Sequence, residues 1–131
     1  MILLDTHIWI WWVQDIDRLS NRQIEILSSN ERTGLGVSII SCWEIAKLVE
    51  KNRLDLSLPT KEWFDTAINY PGIKLLELTP AIALESTQLP GQFHKDPADQ
   101  IIVATSRIYH IDLLTADKKI IKYKHVSILN E

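Results

Sequence analysis

Short apolar runs alternate with longer amphipathic stretches along this chain. Met1 to Leu4 is continuously apolar and ends at Asp5, the pattern of a strand buried on both faces. Thr6 to Val13 reads as a helix, although Ile8-Trp9-Ile10-Trp11 would also suit a strand. Ser20-x-x-Gln23 is a capping box opening a second helix, with Ile24 and Leu27 on one face. Leu35 to Ser38 forms a second strand. Ser41 is then expected to cap a helix running to about Asn52, with Cys42, Ile45, Ala46 and Val49 along its stripe. Thr60 begins a helix carrying Trp63, Phe64, Ala67 and Ile68, stopped by Pro71-Gly72. Ile73 to Leu78 is the third strand.

Two further helices start with the same signal, a cap residue followed by proline at the first helical position. Thr79-Pro80 opens one that should end near Pro90-Gly91, and Asp96-Pro97 opens one running to about Tyr109. Leu113-Leu114-Thr115 is a fourth strand ending near Asp117, a short helical turn follows, and Val126 to Leu129 is a fifth strand. Strands alternating with helices imply right-handed crossovers and a parallel sheet covered on both faces. The expected fold is an α/β protein, a three-layer α/β/α sandwich around a central parallel five-stranded sheet. Ligands of such sheets bind beyond the carboxyl ends of the strands, where strand order reverses.

At 131 residues the expected organisation is one domain, 1–131, large enough to fold without disulfide or structural metal. A single cysteine, Cys42, excludes a disulfide framework and a cysteine-ligated cluster, and favours the reducing cytoplasm. The longest wholly apolar run, Ile8 to Val13, is six residues, far below the ~20 that span a bilayer, and no signal peptide is expected. The net charge of −3 argues against coating nucleic acid by bulk positive charge. It is compatible with a nuclease. Seventeen acids less the four singled out below leave thirteen against fourteen Lys and Arg, a net of +1.

Those four are Asp5, Glu44, Asp99 and Asp117. Asp5 directly follows the first strand and Asp117 lies just beyond the fourth. Glu44 and Asp99 lie in the first turns of helices expected to start at the same sheet edge. Four unneutralised carboxylates in one cleft raise one another's pKa, and a hard divalent cation removes that cost. Such a cation activates and orients water and stabilises charge on a phosphodiester oxygen, which points to metal-assisted phosphodiester hydrolysis. Each acid also has a purely local reading. Asp5 suits an Asx-turn, Glu44 the third position of a capping box with Ser41, and Asp96 an N-cap before Pro97. Asp99 suits the helix dipole and Asp117 a cap of the short helix. Because Ile102 and Val103 look buried, Asp99 faces partly inward, where an acid needs a partner.

With these motifs on the page, the chain resembles the PIN domain family. The likeness rests on Leu3-Leu4-Asp5-Thr6-His7, Ser41-x-x-Glu44, Asp96-Pro97-Ala98-Asp99 with Ile101 to Thr105, and Leu114-Thr115-Ala116-Asp117. More narrowly it resembles the VapC-type toxins of bacterial toxin–antitoxin pairs, over essentially the whole chain. The resemblance implies a cytoplasmic endoribonuclease that uses Mg²⁺ or Mn²⁺ and is held inactive by a small antitoxin. It implies catalytic and metal-binding roles for Asp5, Glu44, Asp99 and Asp117, with Asp96 and Thr115 in support. Gln100 departs from the family, where many relatives carry Arg. His7 and His94 lie near the motifs; His7 reads as packing or a helix-entry hydrogen bond rather than as a base.

Five tryptophans are many for this length. Trp9 and Trp12 share a helix face and are open to two readings, core filling or an exposed groove for an antitoxin tail beside the site. That aromatic first helix also motivates a homodimer. Lys118, Lys119, Lys122 and Lys124 form a basic cluster next to Asp117 that suits either solvent or an RNA backbone. Three alternatives compete with the nuclease. A phosphoacceptor domain would need an Asp ending strand three, where the chain has Glu77-Leu78-Thr79. A haloacid-dehalogenase-type phosphatase would need Asp-x-Asp after strand one. A catalytically silent binding module is opposed by the complete acidic set.

Overall fold

The computed structural model describes residues 1–129. Four parallel strands form one sheet in the order β3-β2-β1-β4. They are β1 (Ile2–Leu4), β2 (Leu35–Ser38), β3 (Ile73–Leu76) and β4 (Leu113–Leu114). Helices α1 (Thr6–Gln14) and α2 (Asn21–Asn30) connect β1 to β2, and α3 (Ile39–Glu50) and α4 (Thr60–Ile68) connect β2 to β3. The last crossover uses α5 (Pro80–Ser86) and α6 (Pro97–Tyr109), and α7 (Lys118–Ile121) follows β4.

Side chains that alternate along a strand point to opposite faces, and the core divides accordingly. Ile2, Leu4 and Leu114 pack with Trp9, Trp12, Ile45 and Trp63 on one face. Leu3 and Leu113 pack with Ile102, Val103, Ile120 and Tyr123 on the other. The sheet is therefore the middle of three layers, as the apolar runs require. The chain builds outward from β1 to β3 and then returns to place β4 on the opposite side of β1. Strand order reverses between β1 and β4, which makes their carboxyl ends the natural crevice.

Several expectations need correction. The fifth strand is reduced to a parallel bridge between Leu113 and Ile128, so the sheet has four strands among the described residues. β4 is only two residues long, and the next residue, Thr115, turns its hydroxyl to Asp5 instead of extending an edge. Ser41 is not a cap: β2 passes directly into α3, and Ser38 accepts from the Ile40 amide as N-cap. The β-branched pair Ile39-Ile40 disguised that junction, because it continues the apolar run of the strand. Glu44 consequently lies in the second turn of α3 rather than in a capping box. Ala46 is exposed, β3 stops at Leu76, and α5 stops at Ser86. Trp9 is fully buried and Trp12 nearly so, which removes both from any groove. Trp9 meets the Trp63 ring edge-on at 5.4 Å, and its indole donates to the Ala67 carbonyl. The exposed tryptophan is Trp43, at 52%.

Candidate functional site

The crevice at the ends of β1 and β4 is a cleft of about 400 Å³ lined by Asp5, Glu44, Asp96, Asp99 and Asp117, with His7, Trp11 and Ala116. All four acids singled out from sequence line it, and so does Asp96. Asp5, Asp96 and Asp117 are placed by capping their own helices, and Glu44 and Asp99 by partners from other segments.

Asp5 is the N-cap of α1 and is 6% exposed. Its Oδ1 accepts from the Thr6 amide at 2.8 Å and its Oδ2 from the Thr115 hydroxyl at 2.6 Å. Thr115 Oγ1 also accepts from the Asp117 amide at 3.0 Å, so one buried hydroxyl fixes the spacing of two acids. Asp117 caps α7 through the Lys119 amide. Asp96 caps α6, accepting from the amides of Ala98 and Asp99. The cap readings of Asp96 and Asp117 thus hold together with their place in the cleft, and Asp5, expected in an Asx-turn, proves to be a helix cap as well. Capping aims a carboxylate at the sheet edge from which each helix starts.

Glu44 has a different anchor. Thr6 Oγ1 donates to Glu44 Oε1 at 2.6 Å, and Ser41 Oγ lies 2.8 Å from the same hydroxyl. A hydroxyl carries one proton, so with Thr6 donating to Glu44, Ser41 must donate to Thr6. This buried relay ties α3 to α1. Asp99, 8% exposed, meets His94 Nε2 through Oδ2 at 2.6 Å. Sequence reading named His94 only as a neighbour of the motifs; its signal was its position in the loop five residues before Asp99. It likewise gave no role to Thr6 and only a capping role to Ser41; their hydroxyl relay appears only once α1 and α3 pack.

The electrostatics of the cleft are unfavourable to charge. Burial pushes the Asp99 carboxyl up to about 7, and Asp5, Asp96 and Asp117 add to the rise while His94 opposes it. Burial also raises Asp5, against the hydrogen bonds from Thr115 and Thr6. Glu44 is raised by burial and by Asp5 and Asp96, against its hydrogen bond from Thr6. Among the described residues no Lys or Arg forms an ion pair with any of the five acids. Glu44, Asp96 and Asp99 each offer an oxygen within 4.8 Å of the others. Asp96, expected only in support, therefore belongs to a close trio with Glu44 and Asp99, while Asp5 and Asp117 line the same cleft with Thr115 bonded to both. An all-oxygen donor set with excess negative charge is what a hard divalent cation requires, so the residues present fit one.

The PIN domain family model matches residues 2–126. The chain belongs to the PIN domain family. Ribonuclease VapC22 of Mycobacterium tuberculosis is 31% identical over 124 residues, spanning 95% of this chain and 92% of that protein. Two solved structures share the fold. FitAcB from Neisseria gonorrhoeae superposes with a TM-score of 0.69 at 21% identity, covering 99% of this chain and 97% of that one. VapBC2 from Rickettsia felis, bound to a DNA fragment from its promoter, has a TM-score of 0.69 at 13% identity, covering 99% and 98%. In this PIN domain no helix among the described residues is long and apolar enough to cross a membrane.

Proposed function

We propose that this PIN domain is a metal-dependent endoribonuclease, one nuclease domain over residues 1–131, acting as the cytoplasmic toxin of a type II toxin–antitoxin pair. The observation that carries the reading is the convergence of five carboxylates, from four separate chain segments, on one cleft at the topological switch point. A silent binding module has no need of so many mutually repelling acids. Asp5, Glu44, Asp99 and Asp117 are the catalytic, metal-holding set, with Asp96 beside them at the Glu44–Asp99 wall. A bound Mg²⁺ or Mn²⁺ supplies Lewis-acid stabilisation of the phosphodiester and lowers the pKa of attacking water.

The protein's own contribution is positional. Thr115 holds Asp5 and Asp117 at a fixed separation, and the Ser41–Thr6 relay keeps Glu44 turned into the cleft. His94 orients Asp99 and lowers the cost of its ionised form. An antitoxin and a second copy of the chain complete the assembly. A groove of about 370 Å³ runs from the cleft past Trp43, Leu48 and Lys51 to Arg53, and shares Glu44 and Asp96 with it. An antitoxin tail lying there would bury Trp43 and bring a guanidinium onto the two acids bidentately. That role passes to Trp43 because Trp9 and Trp12 are core.

The test is RNA cleavage by purified protein with and without chelator, beside Asp5→Asn. Cleavage that needs Mg²⁺ or Mn²⁺ and is lost in the variant supports the reading. Cleavage that survives excess chelator, or that Asp5→Asn retains, overturns it.

A further inference from the structure

A second concavity adjoins the acidic cleft and carries the opposite charge. It measures about 480 Å³, within the range of small-ligand sites, and its walls are the loop 91–94 and the segment from Lys119 to His125. Lys119, Lys122 and Lys124 line it, all exposed, and none forms an ion pair among the described residues. Between them lie rings. Phe93 lies against His94 with ring centres 4.2 Å apart and planes tilted by 34°, and it meets Tyr123 edge-on at 4.8 Å, while Tyr123 meets the exposed His125 at 5.5 Å.

The two walls are fastened together. Tyr123 Oη donates to the Pro90 carbonyl, joining the loop to the C-terminal segment. Arg107 Nη1 donates to the His125 carbonyl while its Nε binds Glu85, anchoring that segment to α5 and α6. Gly91 has φ +65°, a conformation that favours glycine. A Cβ there would make only an ordinary contact with the His125 ring, at 3.7 Å, so the backbone conformation is what calls for glycine. The pocket and the acidic cleft are joined on both sides. His94 lines this pocket and is bonded to Asp99, and Lys119 lines it and donates its amide to Asp117.

Resting on the nuclease reading above, we propose that this pocket is a nucleotide subsite for single-stranded RNA. It takes the nucleotide next to the scissile phosphate, its base against the His125 and Phe93 rings and its phosphates on Lys122 and Lys124. The acidic cleft repels an incoming backbone, and a basic, aromatic pocket beside it offsets that repulsion. Ring stacking tolerates every base but needs an unpaired one. The pocket therefore selects single strands over duplexes rather than one sequence over another.

The probes are a mixed-sequence single-stranded oligoribonucleotide and the duplex of the same length. Lys122→Ala with Lys124→Ala should raise KM for the single strand with kcat retained, the signature of weakened uniform binding. It should also flatten the dependence of binding on log salt by about 0.7 for each phosphate the lysines no longer neutralise. His125→Ala, at an exposed position where folding is not at stake, should weaken single-strand binding by about tenfold and leave duplex binding unchanged. A thiouridine-substituted oligonucleotide should photocross-link to residues 91–94 and 122–125. Wild-type KM and salt slope in these variants, or cross-links confined to the Trp43 groove, would overturn the subsite while leaving the nuclease reading intact. Wild-type protein that neither binds nor cuts RNA would overturn both.

Discussion

Replacing Asp99 by Asn should stabilise the metal-free protein at neutral pH and leave it unchanged in acid. The Asp99 carboxyl sits at about 7, against an ordinary 3.8. Below about pH 4 it is protonated in folded and unfolded chains alike, and contributes nothing to the difference. As pH rises from 4 to 7 the unfolded chain gives up this proton while the folded chain keeps it, so stability falls; above 7 the full cost is present. The gap corresponds to at most ~4 kcal/mol. Solvent in the open cleft and sharing of the proton with neighbouring acids bring this to about 1–2 kcal/mol. Asn has the same shape and keeps an acceptor for His94 Nε2. In excess chelator, thermal unfolding followed by circular dichroism should therefore show Tm higher by roughly 5 °C for Asp99→Asn at pH 7.5, with the difference vanishing near pH 4. Asp5 and Glu44 are raised as well, so wild type and variant should both lose stability across this range; the difference between the curves isolates Asp99. A variant less stable than wild type at neutral pH, or a difference independent of pH, would refute the account of a cleft held under electrostatic strain.

Divalent metal should reverse that balance. At about a hundred times its dissociation constant, Mg²⁺ should stabilise wild type by ~2.7 kcal/mol, and scanning fluorimetry should show little or no shift for Asp99→Asn. Thr115→Val leaves the buried Asp5 Oδ2 without its donor; a loss of about 1–3 kcal/mol in urea unfolding is expected, together with reduced RNA cleavage. Ser41→Ala removes the hydroxyl that supports Thr6 and Glu44, and should cost about 1 kcal/mol, with cleavage lowered further than this mild destabilisation explains. Trp43→Ala should leave unfolding within about 0.5 kcal/mol of wild type, since the side chain is exposed. It should weaken the pull-down of a co-expressed antitoxin; unchanged capture would move the tail elsewhere.

The legible parts of this protein were those in which neighbouring residues decide the outcome. The strands expected at 1–4, 35–38 and 113–115 appear within a residue of those bounds, and the capping box at Ser20 and Gln23 and the cap-then-proline starts at Thr79 and Asp96 appear where the sequence places them. Capping also explains why the acids could be found at all. A residue that ends a strand and starts a helix must sit at the sheet edge, so Asp5 and Asp117 were located by local rules before any tertiary contact was known.

Junctions and partnerships were not legible. Ile39-Ile40 satisfies strand and helix equally by pattern, and the packing of α3 on β2 decided for helix, which moved the cap from Ser41 to Ser38. The fifth strand had the composition but not the partner, because β4 gives only two residues to a ladder before Thr115 turns to Asp5. Trp9 and Trp12 could be core or surface until Trp63 and Tyr70 arrived from distant segments to cover them.

The sequence by itself determined the alternation of strand and helix, the two-faced sheet and the edge at which the acids gather, because periodicity and capping act over a few residues. Only the tertiary structure decided that Asp96 joins Glu44 and Asp99, and that Thr6, Ser41, Thr115 and His94 hold the acids in place. It also decided that a lysine-lined aromatic pocket opens beside them. Most of these contacts join residues tens of positions apart. Hydrogen bonds and charge repulsion act through distances that exist only after the crossovers have brought the strands together.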